Sequence, residues 1–296
     1  MTMDESAPNI RKVPASAGAQ WLIDGFMLLK ASPSGLGGMG VLYGVFAAVV
    51  VAMSVLAPQI GLGLQMLLVV GAPVLTGALV WAAREVAQGR HVGPASYFEP
   101  IRQGKVGALL VTLLPQVVLG LLMAVLLLVL VGSENLQTIA SVMEKMQTAP
   151  QGTPPDPALM AALPAERMLL WFLCVLVLGL LMFLMTFVAV PGVMLGDQTG
   201  VNALRQSLRA GLRNLPAVLV FLGVLLVTMM GLSLLASIPG AIVKMIAGPA
   251  AQLVVVQMLF AAILTTVASG AVMSAWQSML GQEAGPPPMP AGQLQA

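Results

Sequence analysis

The sequence predicts an all-α integral membrane protein with six transmembrane helices arranged as three hairpins, each preceded by a cytoplasmic amphipathic surface helix. Two observations carry the membrane assignment. Of 296 residues, 58% are hydrophobic and 8% charged, against roughly 25% charged in a soluble domain. Apolar runs of more than twenty residues also pass without an ionisable side chain, and such runs leave no polar face to turn toward water. A third observation, the lopsided placement of Lys and Arg, orients the chain.

Residues 1 to 17 hold Asp4, Glu5, Arg11, Lys12 and two prolines but no apolar core. They are expected as a disordered cytoplasmic tail without a cleavable signal, which leaves targeting to the first span. The membrane domain runs from 18 to 280, with spans at 36–57, 62–83, 106–132, 169–195, 217–238 and 250–275. Each meets the requirement of about 20 apolar residues for a hydrocarbon core about 30 Å thick. The runs are continuous rather than alternating, which favours helices over a barrel. Pro58 to Gly61 is all that joins the first two spans, so these form a tight hairpin. An outer loop at 133–168 is expected to carry a short helix over Asn135 to Gln147, followed by a proline-rich extended stretch. Residues 281–296, with Pro286, Pro287, Pro288 and Pro290, are expected to be a disordered tail.

Ten basic residues (Arg11, Lys12, Lys30, Arg84, Arg90, Arg102, Lys105, Arg205, Arg209 and Arg213) fall on one side of this topology, and Lys145, Arg167 and Lys244 on the other. Basic flanks are retained in the cytoplasm, so both termini are expected there. Trp81, Trp171 and Trp276 stand at span ends, where an indole suits the headgroup level.

The surface segments are the most informative feature below topology. Over 201–215, Val201, Leu204, Leu208, Leu212 and Leu215 fall on one helical face, and Asn202, Arg205, Gln206, Arg209 and Arg213 on another. Trp21, Leu22, Phe26 and Leu29 form an earlier apolar face, and Tyr97, Phe98 and Ile101 a weaker one. Gly77-Ala78-Leu79-Val80 with Trp81 parallels Gly270-Ala271-Val272-Met273 with Trp276, which suggests three parallel repeats. Arg11-Lys12-Val13-Pro14-Ala15, followed by Gly18, Trp21, Asp24-Gly25-Phe26 and Pro33, resembles the amino-terminal signature of a family of uncharacterised proteobacterial multi-pass inner-membrane proteins. That resemblance implies a location and a fold, and transfers no catalytic residue.

The span cores contain no ionisable residue, which disfavours proton-coupled pumps and voltage sensors. One histidine, His91, in a loop, supports neither a serine–histidine dyad nor a zinc protease, and Asp197 stands alone at the end of the fourth span. Cys174 lies in an apolar run and excludes an intrachain disulfide. No catalytic residue, metal ligand or cofactor site is therefore assigned, and a net charge of +2 gives no field for nucleic acid. Membrane lipids are the expected partners. Arg205, Arg209 and Arg213, at i, i+4 and i+8, are candidate contacts for anionic lipid. Thr265, Thr266 and Ser269 are the candidates for a polar cavity. Pro73, Pro115 and Pro191 interrupt three spans, and Gly40 with Gly44 forms a G-x-x-x-G packing motif. The expected role is a non-enzymatic structural, adaptor or lipid-organising one. The alternative is a permease for an apolar or amphipathic small molecule.

Overall fold

A computed structural model describes residues 10–148, 157–161 and 163–281, and among these the regular structure is all helical, with no strand. The helices are α1 (Ala17–Ala31), α2 (Leu36–Leu56), α3 (Pro58–Ala87), a 3-10 turn at Pro94–Phe98, α4 (Glu99–Arg102), α5 (Val106–Val111), α6 (Leu114–Leu130), α7 (Ser133–Thr148), α8 (Pro157–Ala161), α9 (Ala165–Thr186), α10 (Ala189–Gly196), α11 (Gly200–Arg213) and α12 (Leu215–Leu280). Five helical stretches are long and apolar enough to cross a membrane: Leu36–Leu56, Pro58–Ala87, Val106–Leu130, Ala165–Gly196 and Leu215–Leu280. The chain is a membrane protein on that evidence.

The last of these holds both carboxyl-terminal apolar runs. At 66 residues a straight helix would reach about 100 Å at about 1.5 Å per residue, some three times the hydrocarbon thickness. It is not straight. Gly248 has φ 86° and ψ 177°, a conformation open only to glycine. The two halves double back there, because a Cβ built on Gly240 would fall 2.5 Å from Val256 Cγ2.

The first hairpin is tighter than the sequence suggests. Rather than the four residues 58 to 61, only Ala57 leaves helical geometry (φ −146°, ψ 80°), and Pro58 opens α3 at its first turn, where a missing N–H costs nothing. Gly61 then approaches Ser54 so closely that a Cβ would sit 2.4 Å from the Ser54 Cα.

The described chain divides into two compact units. The smaller, residues 114–183, holds α6, α7, α8 and most of α9. Within it the Trp171 indole donates to the Met123 carbonyl at 3.3 Å, and Asn135 caps Val131 at 2.7 Å. Leu121, Val125, Leu128, Leu169 and Leu173 are exposed along its helices, as lipid-facing side chains are. Helix α7 matches the helix expected in the outer loop. Within the stretch expected to be extended, Pro157–Ala161 is instead one helical turn, and 149–156 lies outside the described residues.

The larger unit is built on glycine-mediated contact. Helix α2 lies against the second half of α12: a Cβ on Gly40 would sit 2.3 Å from the Ala262 carbonyl oxygen, and one on Gly44 2.4 Å from that of Met258. The G-x-x-x-G motif is thus a helix-packing site. Helix α1 also packs on α12. Gly18 meets the Ala217 carbonyl, ahead of Gly248, while Gly25 meets that of Val267, beyond it. Trp21, 2% exposed, stacks with Phe187 and Phe221 at ring separations of 5.8 and 6.1 Å. Its indole donates to Ser278 Oγ at 3.0 Å.

Two expectations are corrected here. The segments before α2 and before α5 depart from the amphipathic surface helices expected there. Helix α1 buries Gly18, Trp21, Leu22 and Gly25 against protein, because two glycines on one face admit backbone-to-backbone contact. The second segment is a 3-10 turn and a single α turn, broken up by Pro94 and Pro100 and ended at Gly104 (φ 65°). The expected amino-terminal disordered tail is also ordered in its described part. Residues 10–14 are pinned: the Arg11 N–H donates to the Met279 carbonyl at 2.9 Å, and the Val13 N–H to Asn214 Oδ1 at 2.8 Å. Residues 1–9 and 282–296, the rest of the expected tails, lie outside the described residues.

Two proline breaks position α11. Pro191 cannot donate to the carbonyl four residues earlier, and the fourth apolar stretch turns at Phe187 and Val188. Ser207 of α11 fills that gap, donating to the Leu184 carbonyl at 2.8 Å and accepting from the Val188 N–H at 3.1 Å. Gly200 sits against Ala108 and Val111, beside the break that precedes Pro115. Helix α3, in contrast, runs through Pro73. Replacing Ser207 by alanine orphans both backbone groups, and we expect a loss of about 1–3 kcal/mol, measured as a lowered unfolding midpoint in detergent, with Ser207→Thr less affected.

Candidate functional site

Helix α11 presents three faces. The first buries Gly200, Ala203, Leu204, Ser207, Ala210 and Gly211. Small side chains there let the helix seat closely on α10 and α5. Beside it, at helical spacing, run Val201, Leu208 and Leu212, with Val201 and Leu212 exposed. The third face carries Asn202, Arg205, Arg209 and Arg213, all exposed. Thr199 caps the helix by accepting from the Asn202 N–H at 3.4 Å. None of the three arginines pairs with a carboxylate among the described residues. The apolar face expected from the sequence is therefore split: Leu204 packs inward, and Val201, Leu208 and Leu212 form a stripe between protein and arginines.

A second feature was not anticipated. The carboxyl-terminal ends of α3, α10 and α12 converge around a cavity of about 850 Å³. Arg84 and Gln88 come from α3, the turn Gly196-Asp197-Gln198 from α10, and Ser274, Trp276 and Ser278 from α12, with Arg11 contributed by the pinned amino-terminal segment. Three helix ends present partial negative charge, and basic residues gather there. Lys105 Nζ donates to the Met194 carbonyl in the last turn of α10 at 2.7 Å and pairs with Asp197 at 2.6 Å. Asp197 occupies the left-handed position (φ 52°) that ends α10. Its carboxyl is held below the usual range by the hydrogen bond and charge of Lys105, with a smaller contribution from Arg84. Two buried polar atoms in this wall have no hydrogen-bond partner, Gln198 Oε1 and Trp276 Nε1, although the Gln198 amide nitrogen donates to Gln206.

The other sequence candidates lie elsewhere. Thr265 donates to the Ala261 carbonyl at 2.7 Å, and Thr266 to those of Ala262 and Ile263 at 3.1 and 2.9 Å. Thr266 and Ser269 are buried, and Thr266 Cγ2 packs on Gly40. The two threonine hydroxyls return to their own helix, and none of the three residues lines the convergence cavity or the apolar groove of about 470 Å³ bounded by Tyr43, Phe46, Leu67 and Tyr97. His91 is exposed, and no cluster of His, Cys, Asp and Glu able to hold a metal occurs among the described residues.

The sequence matches no protein-family model, no curated protein and no solved structure. The functional reading therefore rests on the chain's own geometry.

Proposed function

We propose that this protein is a non-enzymatic, lipid-organising component of the bacterial inner membrane, which engages anionic phospholipid through α11. The observation that carries this reading is the exposed arginine face of α11 standing beside an apolar stripe in which Val201 and Leu212 are exposed, on a helix whose third face is seated in the protein. A helix so fixed places its leucines at acyl depth and its guanidinium groups among headgroup phosphates, where each basic residue contributes about 1 kcal/mol near an anionic surface.

The topology proposed with it has six crossings in three hairpins and both termini in the cytoplasm. The break at Gly248 supports it by dividing α12 into two lengths, each sufficient for one crossing, as does the ten-to-three division of basic residues. The docking pattern gives a further argument. Helix α1 packs on α12, the 94–102 segment on α2 and α3, and α11 on α10 and α5. Each segment ahead of one hairpin thus seats on the hairpin before it, with the first seating on the last, as expected of three parallel units closed on themselves.

Purification into native nanodiscs, with lipid analysis, tests the function. We expect enrichment of anionic over zwitterionic phospholipid relative to the bulk membrane, falling at least about fivefold when Arg205, Arg209 and Arg213 are all replaced by glutamine, since about 1 kcal/mol per residue corresponds to about fivefold each. Equal lipid composition around the two proteins would exclude the reading.

The convergence cavity favours a second reading, a permease for an amphipathic small molecule, because its walls come from the return helices of all three hairpins. That reading predicts substrate flux in sealed vesicles, unchanged by the α11 substitutions.

A further inference from the structure

We propose that the convergence cavity is a binding site for an organic phosphate carrying a hydroxyl or ammonium group, distinct from the lipid surface of α11. The wall supplies complementary demands. Arg11 and Arg84 line the space without a carboxylate partner among the described residues, and a guanidinium offers a planar fork that matches phosphate oxygens. The indole N–H of Trp276 is buried and has no acceptor, while Gln198 Oε1 is buried and has no donor. Orphaned buried groups of this kind cost about 1–3 kcal/mol each, and a ligand with both an oxyanion and an adjacent O–H or N–H donor removes that cost once the two side chains turn out from the wall, where each atom shows less than 1 Å² of surface.

The carboxylates of the region do not cancel this field, and Glu85, next to Arg84 on α3, is itself paired with Arg90. Asp197 is paired with Lys105, and Asp24 accepts hydrogen bonds from Ser274 and Gln20. Counting Arg11, Arg84 and Lys105 against Asp24 and Asp197, the side chains carry an excess of one positive charge that suits the phosphate, while the partial negative charge of the three helix carboxyl ends suits the hydroxyl or ammonium donor. A volume of about 850 Å³ falls within the range of about 300–1,000 Å³ of small-molecule pockets and admits a phosphodiester headgroup as well as a soluble phosphomonoester. Both share the required chemistry, a phosphate next to a donor.

The two sources are separated by titrating the full chain in detergent micelles with sn-glycerol 3-phosphate and with short-chain phosphatidylglycerol, reading tryptophan emission and heat. Saturable binding is expected with at least one probe. Response to the lipid alone assigns a membrane headgroup, and response to the soluble ester assigns a cytosolic ligand. Arg84→Gln should weaken binding about tenfold, the loss of one charge-assisted pair. Trp276→Phe should weaken it about threefold to tenfold and abolish most of the emission change. The Arg205, Arg209 and Arg213 triple variant should bind as the parent does, which separates this site from α11. Arg11→Gln, on a segment held by backbone hydrogen bonds, provides the same reading should Arg84→Gln fail to fold. Absence of saturation with both probes, or binding unchanged in Arg84→Gln, Arg11→Gln and Trp276→Phe alike, overturns the proposal.

Discussion

Gly25→Leu is expected to prevent α1 from docking and to cost at least about 3 kcal/mol, the upper part of the range for overpacking. A Cβ at Gly25 would stand 2.2 Å from the Val267 carbonyl oxygen and 3.0 Å from the Ala271 nitrogen. Both are backbone atoms of α12, so no side-chain rotation relieves the overlap. The consequence extends beyond one contact, because α1 carries Trp21 into the aromatic group with Phe187 and Phe221, whose own rings lie 5.2 Å apart. The measurement is the unfolding midpoint in detergent together with the tryptophan emission maximum. Gly38→Leu, at a position where a Cβ meets nothing within 4 Å, is the matched control and should leave both unchanged.

Asn214→Leu should be nearly as severe, and its effect should spread to the amino terminus. Asn214 is 1% exposed. Its amide accepts from the Val13 N–H and donates to the Arg11 and Ala210 carbonyls at 3.0 Å. Leucine leaves the Val13 and Arg11 groups unpaired, at about 1–3 kcal/mol for each group that stays buried. The chain over 10–14 should therefore detach, with its amide protons exchanging at least about a hundredfold faster, while amides in α9 remain protected. Because Arg11 walls the convergence cavity, the same substitution should weaken organic-phosphate binding without touching Arg84.

Much of the architecture was legible in the apolar runs. Bilayer thickness dictates the length of a spanning helix, so the stretches at 36–57 and 62–83 emerge within a few residues as α2 and α3. The Gly40 and Gly44 motif was legible for the same reason, since small residues four apart mark close helix approach. Periodicity misled where partners were invisible. Trp21 and Leu22 read as one face of a surface helix, but their depth depends on α12, more than 190 residues away, meeting Gly18 and Gly25. The face of α11 was likewise rotated by its neighbours, because Ala203, Ser207 and Ala210 carry no hydropathy signal yet pack best against α10 and α5.

Of the candidate sites, the arginines were legible because charge at i, i+4 and i+8 needs no tertiary knowledge to place on one face. The cavity was not. Its walls join residues 11, 84, 198 and 276, and nothing local to any of them announces the others. One signal was present: the parallel between Gly77 to Trp81 and Gly270 to Trp276. Those segments meet in space, with Val80, Ala83 and Met273 sharing one buried cluster. The threonine hydroxyls bond within their own helix for a reason equally physical, since a hydroxyl in a helix has its own preceding carbonyl within reach.

The depth of α11 is the measurement on which the lipid-organising account depends most directly. With Cys174 replaced by alanine, single nitroxide labels at Leu212 and at Arg209 can be compared in anionic bilayers by their collision rates with dissolved oxygen and with a water-soluble nickel complex. The account predicts that the Leu212 label is shielded from nickel and relaxed by oxygen, as at acyl depth, and that the Arg209 label shows the reverse. Equal nickel accessibility at the two positions would place α11 clear of the membrane surface and contradict the account.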